Sequence, residues 1–228
     1  MPTSIVTGAS RGLGLALARA LADRGHRLVI DARGADALEA AREELAGSAE
    51  VVAIAGDVSD PTHRQRLVEA AGPRIDVLVN NASVLGPSPQ PLLQDYPLDV
   101  LERVYRVNVV APLALVQLVL PLLRARGRIV NVTSDAAVEG YEGWGGYGSS
   151  KAALEQLGSV LAAEHPELLV YSVDPGDMRT QMHQEAFPEE DISDRPPPED
   201  SIPGLLSLIE GELPSGRYRA ADLVEVRR

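Results

Sequence analysis

Between a short β-branched run, Thr3–Thr7, and a leucine- and alanine-rich stretch, Leu15–Asp23, stand three closely spaced glycines. The segment is Thr7-Gly8-Ala9-Ser10-Arg11-Gly12-Leu13-Gly14, and it joins what reads as a strand to what reads as a helix. Glycines at 8, 12 and 14 let the backbone turn tightly and come close to a pyrophosphate. The helix N-terminus adds free amides and a favourable dipole. The spacing is Gly-x-x-x-Gly-x-Gly, not the commoner Gly-x-Gly-x-x-Gly. A plain glycine-rich loop is the bland alternative. Its place after the first strand favours a dinucleotide site, with Gly8, Ser10, Arg11, Gly12, Leu13 and Gly14 in contact.

The rest of the chain alternates strand-like and helix-like patterns. Arg27–Asp31, Glu50–Ile54, Ile75–Asn80, Arg128–Thr133 and Leu168–Val173 read as strands, and Ser215–Ala220 as a last, edge-type one. Asp36–Leu45, Pro61–Ala71, Asp99–Leu123 and Tyr147–Glu164 read as helices, with Asp60 as an N-cap and Gly25 as a C-terminal stop. Runs such as Ile129-Val130-Asn131-Val132 are apolar on both faces, as in a parallel sheet covered by helices. The expected fold is one α/β domain over residues 1–228, a doubly wound Rossmann-type sheet in strand order 3-2-1-4-5-6-7. The acidic, proline-bearing stretch Phe187–Pro203 breaks the pattern and predicts a mobile substrate loop over 185–203.

Composition removes whole classes of function. The chain has no cysteine, so disulfides, thiolate metal sites and a cysteine nucleophile are excluded. Its four histidines have no ligand-like spacing, and no metal is expected. A net charge of −12 argues against nucleic-acid binding. The longest apolar stretch, Val107–Leu123, is interrupted by Asn108, prolines and Gln117, so no membrane span is expected. No signal peptide is evident, and the expected location is cytoplasmic.

The end of the second strand bears on cofactor choice. An acidic residue there would bond the adenosine ribose and repel a 2′-phosphate. In Leu28-Val29-Ile30-Asp31-Ala32-Arg33, a terminal Asp31 would select NAD(H). Counting from Gly25 puts Ala32 at that position instead, leaving Arg33 to clamp a 2′-phosphate with Arg11 as a second cation. NADP(H) is therefore favoured, with NAD(H) as the alternative.

Tyr147 and Lys151 lie at i and i+4, on one helix face. A tyrosine near pKa 10 is a poor acid–base group at neutral pH, and a nearby ammonium would lower that value. Ser134 ends a strand whose C-terminal end opens into the same crevice. Together these residues form a coherent proton-transfer set.

With these motifs the chain resembles the short-chain dehydrogenase/reductase family over about residues 3 to 220. Thr7–Gly14 is similar to the family's glycine signature. Asp57-Val58 is similar to its adenine-contacting segment, and Asn80-Asn81-Ala82 to its Asn-Asn-Ala-Gly motif, with Ser83 replacing the glycine. Asn108, Ser134, Tyr147 and Lys151 stand where the family has its catalytic residues. Pro175-Gly176, with Met178 and Thr180, is similar to the segment beside nicotinamide. The resemblance implies that Tyr147 is the general acid in carbonyl reduction and the base in alcohol oxidation. It implies that Lys151 holds the nicotinamide ribose and lowers the Tyr147 pKa, and that Ser134 orients the substrate oxygen. Asn108 would hold a water that relays protons to Lys151. It further implies a homodimer or homotetramer built through the two helices Leu101–Leu123 and Tyr147–Leu161.

The substrate is expected to be a small molecule. Tyr141 and the single tryptophan, Trp144, form a candidate wall, with Met182 as a flexible apolar flank. Glu139 and Glu142 either favour a cationic substrate or face solvent. The competing reading is a redox sensor that binds the dinucleotide without turnover.

Overall fold

The computed structural model describes residues 1–225. Seven parallel strands form one sheet in the order β3-β2-β1-β4-β5-β6-β7, as expected. They are β1 (Thr3–Val6), β2 (Arg27–Ala32), β3 (Val51–Ala55), β4 (Ile75–Asn80), β5 (Leu123–Val132), β6 (Leu169–Asp174) and β7 (Gly216–Arg219). The strand order reverses between β1 and β4, and a doubly wound sheet opens its crevice at that point.

Side-chain alternation divides the core in two. Val6, Leu28, Ile30, Val130 and Tyr171 face one side, where α1 (Gly12–Ala22), α2 (Ala35–Leu45) and α8 (Ile202–Glu210) supply Leu17, Leu38 and Leu205. Ile5, Val29, Leu78, Ile129 and Val170 face the other, against Leu67 of α3 (Pro61–Ala71) and Leu115 of α5 (Ala111–Val119). With both faces covered, the central strands carry apolar residues at odd and even positions alike. Asp60 caps α3 by accepting from the Thr62 amide at 2.9 Å, and Pro61 occupies the first turn, where its missing N–H costs nothing. Gly25 follows α1 with φ +74, the left-handed stop that glycine adopts without strain.

Three expectations need correction. The helix expected over Asp99–Leu123 is broken into α4 (Leu98–Tyr105), a π-helical turn (Arg106–Val110), α5, and a 3-10 turn (Leu120–Leu122). The cause is local: Pro112 has no N–H to close an α-helical bond on the Asn108 carbonyl, and the Ala111 amide reaches back to Arg106 instead. Second, β5 begins at Leu123, where Leu123 pairs with Ile75 across a register shift, and not at Arg128. Third, the stretch 185–203 is not one loop. It begins in α7 (Gln181–Ala186), which the sequence reading missed, and ends in a 3-10 turn (Pro198–Ser201) and the start of α8. Between these, Ile192 is buried, and Arg179 holds the segment through the Pro196 and Ser193 carbonyls at 2.8 and 3.0 Å. The last segment, α9 (Ala220–Glu225), follows β7.

Candidate active site

A groove of about 1360 Å³ runs along the C-terminal ends of the strands. Ligand pockets for drug-sized molecules span roughly 300–1,000 Å³, so this one has room for a larger ligand and a small molecule beside it. The glycine turn, Arg33, Asp57-Val58, Asn81–Ser83, Ser134, Tyr147, Lys151 and Pro175–Thr180 all line it. Tyr141, Trp144 and Met182 do so as well. Asn108 lies behind the wall, buried.

The turn is held rigid by the segment after β4. The Thr7 hydroxyl donates to the Val79 carbonyl at 3.2 Å and accepts the Asn81 and Ala82 amides, each at 3.0 Å. The Asn81 amide group donates to the Thr7 and Gly8 carbonyls at 2.8 and 3.1 Å. A Cβ on Gly14 would lie 2.5 Å from both Asn81 Nδ2 and the Gly8 carbonyl oxygen, and one on Gly8 would lie 2.9 Å from the Ala82 backbone. Those glycines are therefore required by packing alone. Gly12, at φ +57, meets only Thr180 at van der Waals distance, so its side toward the groove stays open. This open cradle at a helix N-terminus suits a pyrophosphate.

At the end of β2, Ala32 is the last strand residue and Arg33 is exposed, with no hydrogen bond or ion pair among the described residues. Asp31 is turned inward instead: its Oδ1 accepts the Gly8 amide at 2.7 Å, and its Oδ2 pairs with His63 Nε2 at 2.9 Å. Burial pushes the Asp57 carboxyl up, but the Ser59 amide bond and the nearby Arg33 and Arg103 more than offset it, leaving Asp57 below its usual range. Arg103 lines the same groove and escaped the sequence reading. Arg11 lines the groove as well, and its guanidinium reaches Gln181 of α7.

The reacting end is built by β5 and by α6 (Gly145–Glu164). Gly148 lets α6 close on the turn after β5, since a Cβ there would come within 2.5 Å of the Ala136 carbonyl. Tyr147 is 8% exposed and Lys151 2%. Burial raises the Tyr147 phenol well above its ordinary value; the Ser83 side chain pulls it partly back, and Asp135 and Asp174 push it further up. Burial lowers the Lys151 ammonium to about 8, against a smaller opposing pull from Glu155. The expectation that Lys151 lowers the Tyr147 value does not hold for this state. Lys151 Nζ donates to the Val132 carbonyl at 2.8 Å and stands 5.4 Å from the centre of the Tyr147 ring.

Ser134 Oγ donates to Asp135 Oδ1 at 2.8 Å and accepts the Ala136 amide at 3.2 Å. The Asn108 amide has its four positions filled by protein. Its Oδ1 accepts from Ser83 Oγ and the Val84 amide at 3.1 and 2.9 Å, and its Nδ2 donates to the Val84 carbonyl and Ser150 Oγ at 2.9 and 3.0 Å. A water held by Asn108 would therefore have to use the main-chain carbonyl, which Pro112 leaves without its α-helical donor. Ser83, a departure from the family motif, is thus part of the network behind Tyr147.

A second set of polar residues was not found from sequence. Arg217 of β7 donates to Glu155 Oε1 at 3.0 Å and to the Ser134 carbonyl at 3.3 Å, and lies 3.5 Å from Asp174. Glu155 also accepts from Thr133 Oγ1 at 2.7 Å. Glu155 stands four residues after Lys151 on α6, a spacing that could have drawn attention to it. Arg217 reaches it, and Asp174 reaches Arg217, because β6 and β7 are adjacent.

The flank beyond Tyr147 is aromatic and apolar. Trp144 meets Tyr147 edge-on at 5.8 Å and Phe187 at the same distance. Met182, Leu85 and Ala136 complete this cluster. The Tyr141 hydroxyl lies 3.1 Å from Asp135 Oδ2 and 3.0 Å from Glu139 Oε2 and donates its one proton to either, and Glu139 and Glu142 are exposed.

Comparison with known proteins agrees with this geometry. The family model described as short chain dehydrogenase matches residues 2–191. The rhamnolipids biosynthesis 3-oxoacyl-[acyl-carrier-protein] reductase of Pseudomonas aeruginosa is 37% identical over 172 residues, 71% of this chain and 66% of that protein. The matched stretch thus spans just under two thirds of that relative. A short chain dehydrogenase structure from Pseudomonas syringae superposes with a TM-score of 0.89 at 32% identity, covering 96% of this chain and 94% of the other. A short chain dehydrogenase from Escherichia coli CFT073, complexed with NADPH, gives a TM-score of 0.84 at 30% identity, covering 96% of each chain. The chain belongs to the short chain dehydrogenase family.

Proposed function

We propose that this protein reduces a small-molecule carbonyl to a secondary alcohol with NADPH, Tyr147 acting as the general acid. The observation that carries the proposal is the continuity of one groove, from the glycine cradle past Ser134 to Tyr147 and Lys151. The residues present fit a dinucleotide: the cradle at Gly8–Gly14 would hold its pyrophosphate, Asp57 and Val58 its adenine, and Pro175–Thr180 its nicotinamide end. Arg33, exposed beyond Ala32, would take a 2′-phosphate. The NADPH complex of the Escherichia coli relative supports this choice. When bound, the cofactor supplies the hydride.

The protein's part is position and the proton. The raised Tyr147 phenol is fully protonated at neutral pH, the form that can donate to a carbonyl oxygen. Ser134, two residues beyond β5, would orient that oxygen, its hydroxyl turning from Asp135 to the substrate. Lys151 would hold the nicotinamide ribose, and, turned from the Val132 carbonyl toward Tyr147, its ammonium would stabilise the phenolate left after proton transfer. The Asn108 carbonyl, which Pro112 leaves without its α-helical donor, would seat the water that returns a proton. Trp144, Met182 and Phe187 keep the reacting end apolar. A sensor that only binds the dinucleotide would not need this relay.

The reading includes self-association, supported by apolar residues exposed on the helices: Val110, Leu113 and Val160. Cofactor titration by quenching of Trp144 fluorescence tests the proposal. NADPH binding at least about tenfold tighter than NADH is expected. Tighter NADH binding would overturn the cofactor assignment, and no turnover with NADPH across a broad panel of ketones and aldehydes would overturn the activity.

A further inference from the structure

Asp31 lines the groove yet is only 2% exposed, and both of its oxygens are engaged. A carboxylate that binds a ribose diol needs its lone pairs turned outward. Here the Gly8 amide takes one oxygen at 2.7 Å and His63 Nε2 the other at 2.9 Å. Since the carboxylate can only accept, Nε2 carries the proton.

His63 stands in the first turn of α3 and is 3% exposed. Its Nδ1 is buried with no hydrogen-bond partner among the described residues and faces Gly56, where an added Cβ would overlap the ring. Gly56 is the residue between β3 and Asp57, and its amide bonds the Ala32 carbonyl at 3.0 Å. The His63 ring is therefore wedged between the ends of β2 and β3, beneath the wall that would face an adenosine. The neighbouring Arg64 is buried and donates to the Val58 carbonyl at 2.7 Å, anchoring the far side of the same wall.

We propose that His63 is a specificity-positioning residue: it holds the Asp31 carboxylate under the glycine turn, which closes NADH-type ribose recognition and leaves Arg33 to select a 2′-phosphate. The inference rests on the NADPH reading above and adds the device that enforces it. Without the His63 donor, Asp31 would keep a buried, half-paired charge. Such a group gains by turning into the groove, where a ribose diol satisfies it and a 2′-phosphate is repelled.

The test is the ratio of NADH to NADPH dissociation constants, read by tryptophan quenching in the full chain. The wild-type ratio reports on the NADPH assignment itself; the change between variants reports on His63. His63→Leu is expected to lower the ratio by about tenfold or more. His63→Gln, which keeps a donor toward Asp31, is expected to stay within about twofold of wild type. Gly56→Ala, which displaces the ring without removing it, is expected to lower the ratio in the same direction. An unchanged ratio in His63→Leu would overturn the proposal, as would an equal loss in His63→Gln. If His63→Leu does not fold, an unchanged ratio in Gly56→Ala decides against it.

Discussion

At the glycine-turn end of the groove, most contacts are made by backbone that buried groups hold in place. Thr7, Asn81, Asp31 and His63 all spend their hydrogen bonds on the turn or on the strand ends around it. At the far end, Tyr141, Trp144, Met182 and Phe187 form the wall with side chains carried by loops and by the short helix α7. The first region allows almost no freedom, because a Cβ on Gly8 or Gly14 has nowhere to go. The second is aromatic and thioether surface that accepts many shapes. One end can recognise a fixed ligand, and the other can be altered residue by residue without disturbing the fold.

The largest test of this contrast lies where the two ends meet. Tyr147→Phe is expected to lower turnover by at least about 100-fold while cofactor affinity stays within about twofold, measured by steady-state kinetics and fluorescence titration. Loss of both together would mean that the ends are not separable. At the rigid end, Gly14→Ala is expected to cost about 1–3 kcal/mol in chemical denaturation, since Asn81 and the Gly8 carbonyl must shift. Arg33→Asp touches no packing and should leave stability unchanged, while moving the cofactor preference about tenfold toward NADH.

The pH profile probes the junction more gently. Burial depresses the Lys151 ammonium to about 8, so the charged form dominates below that pH and is lost above it. Reduction is expected to decline as pH rises through about 8. A flat profile to pH 10 would show that the ammonium is not needed or that bound cofactor restores its ordinary value. The smallest effect is expected at the far end: Phe187→Ala should change stability by less than about 1 kcal/mol and shift KM a few-fold, leaving NADPH affinity alone.

The two ends also differ in how far they could be read from the chain. Glycines 8, 12 and 14 and the Tyr147–Lys151 pair are local patterns whose spacing is their geometry, so the turn and the helix face are legible in the sequence. The apolar alternation of β1, β4 and β5 likewise made the parallel sheet legible. Helix α7 and the start of α8 were missed because an acidic, proline-bearing run resembles a loop, while Ile192 and Ile202 are buried only against the rest of the domain. The break at Asn108 was encoded by Pro112, four residues on, but a strongly apolar helical pattern hid it.

What the sequence by itself determined is the set of groups that act within a turn or two of their own backbone: the cradle, the cap at Asp60, the catalytic helix face and the alternation that builds the sheet. Only the tertiary structure decided which way Asp31 faces, that Asn108 spends its amide on Ser83, Val84 and Ser150, and that Arg217 joins Glu155 and Asp174 behind Ser134. These pairs are separated by 23 to 83 residues and brought together by strand order and burial. A hydrogen bond is stronger where water is excluded, and no local pattern records where that will be.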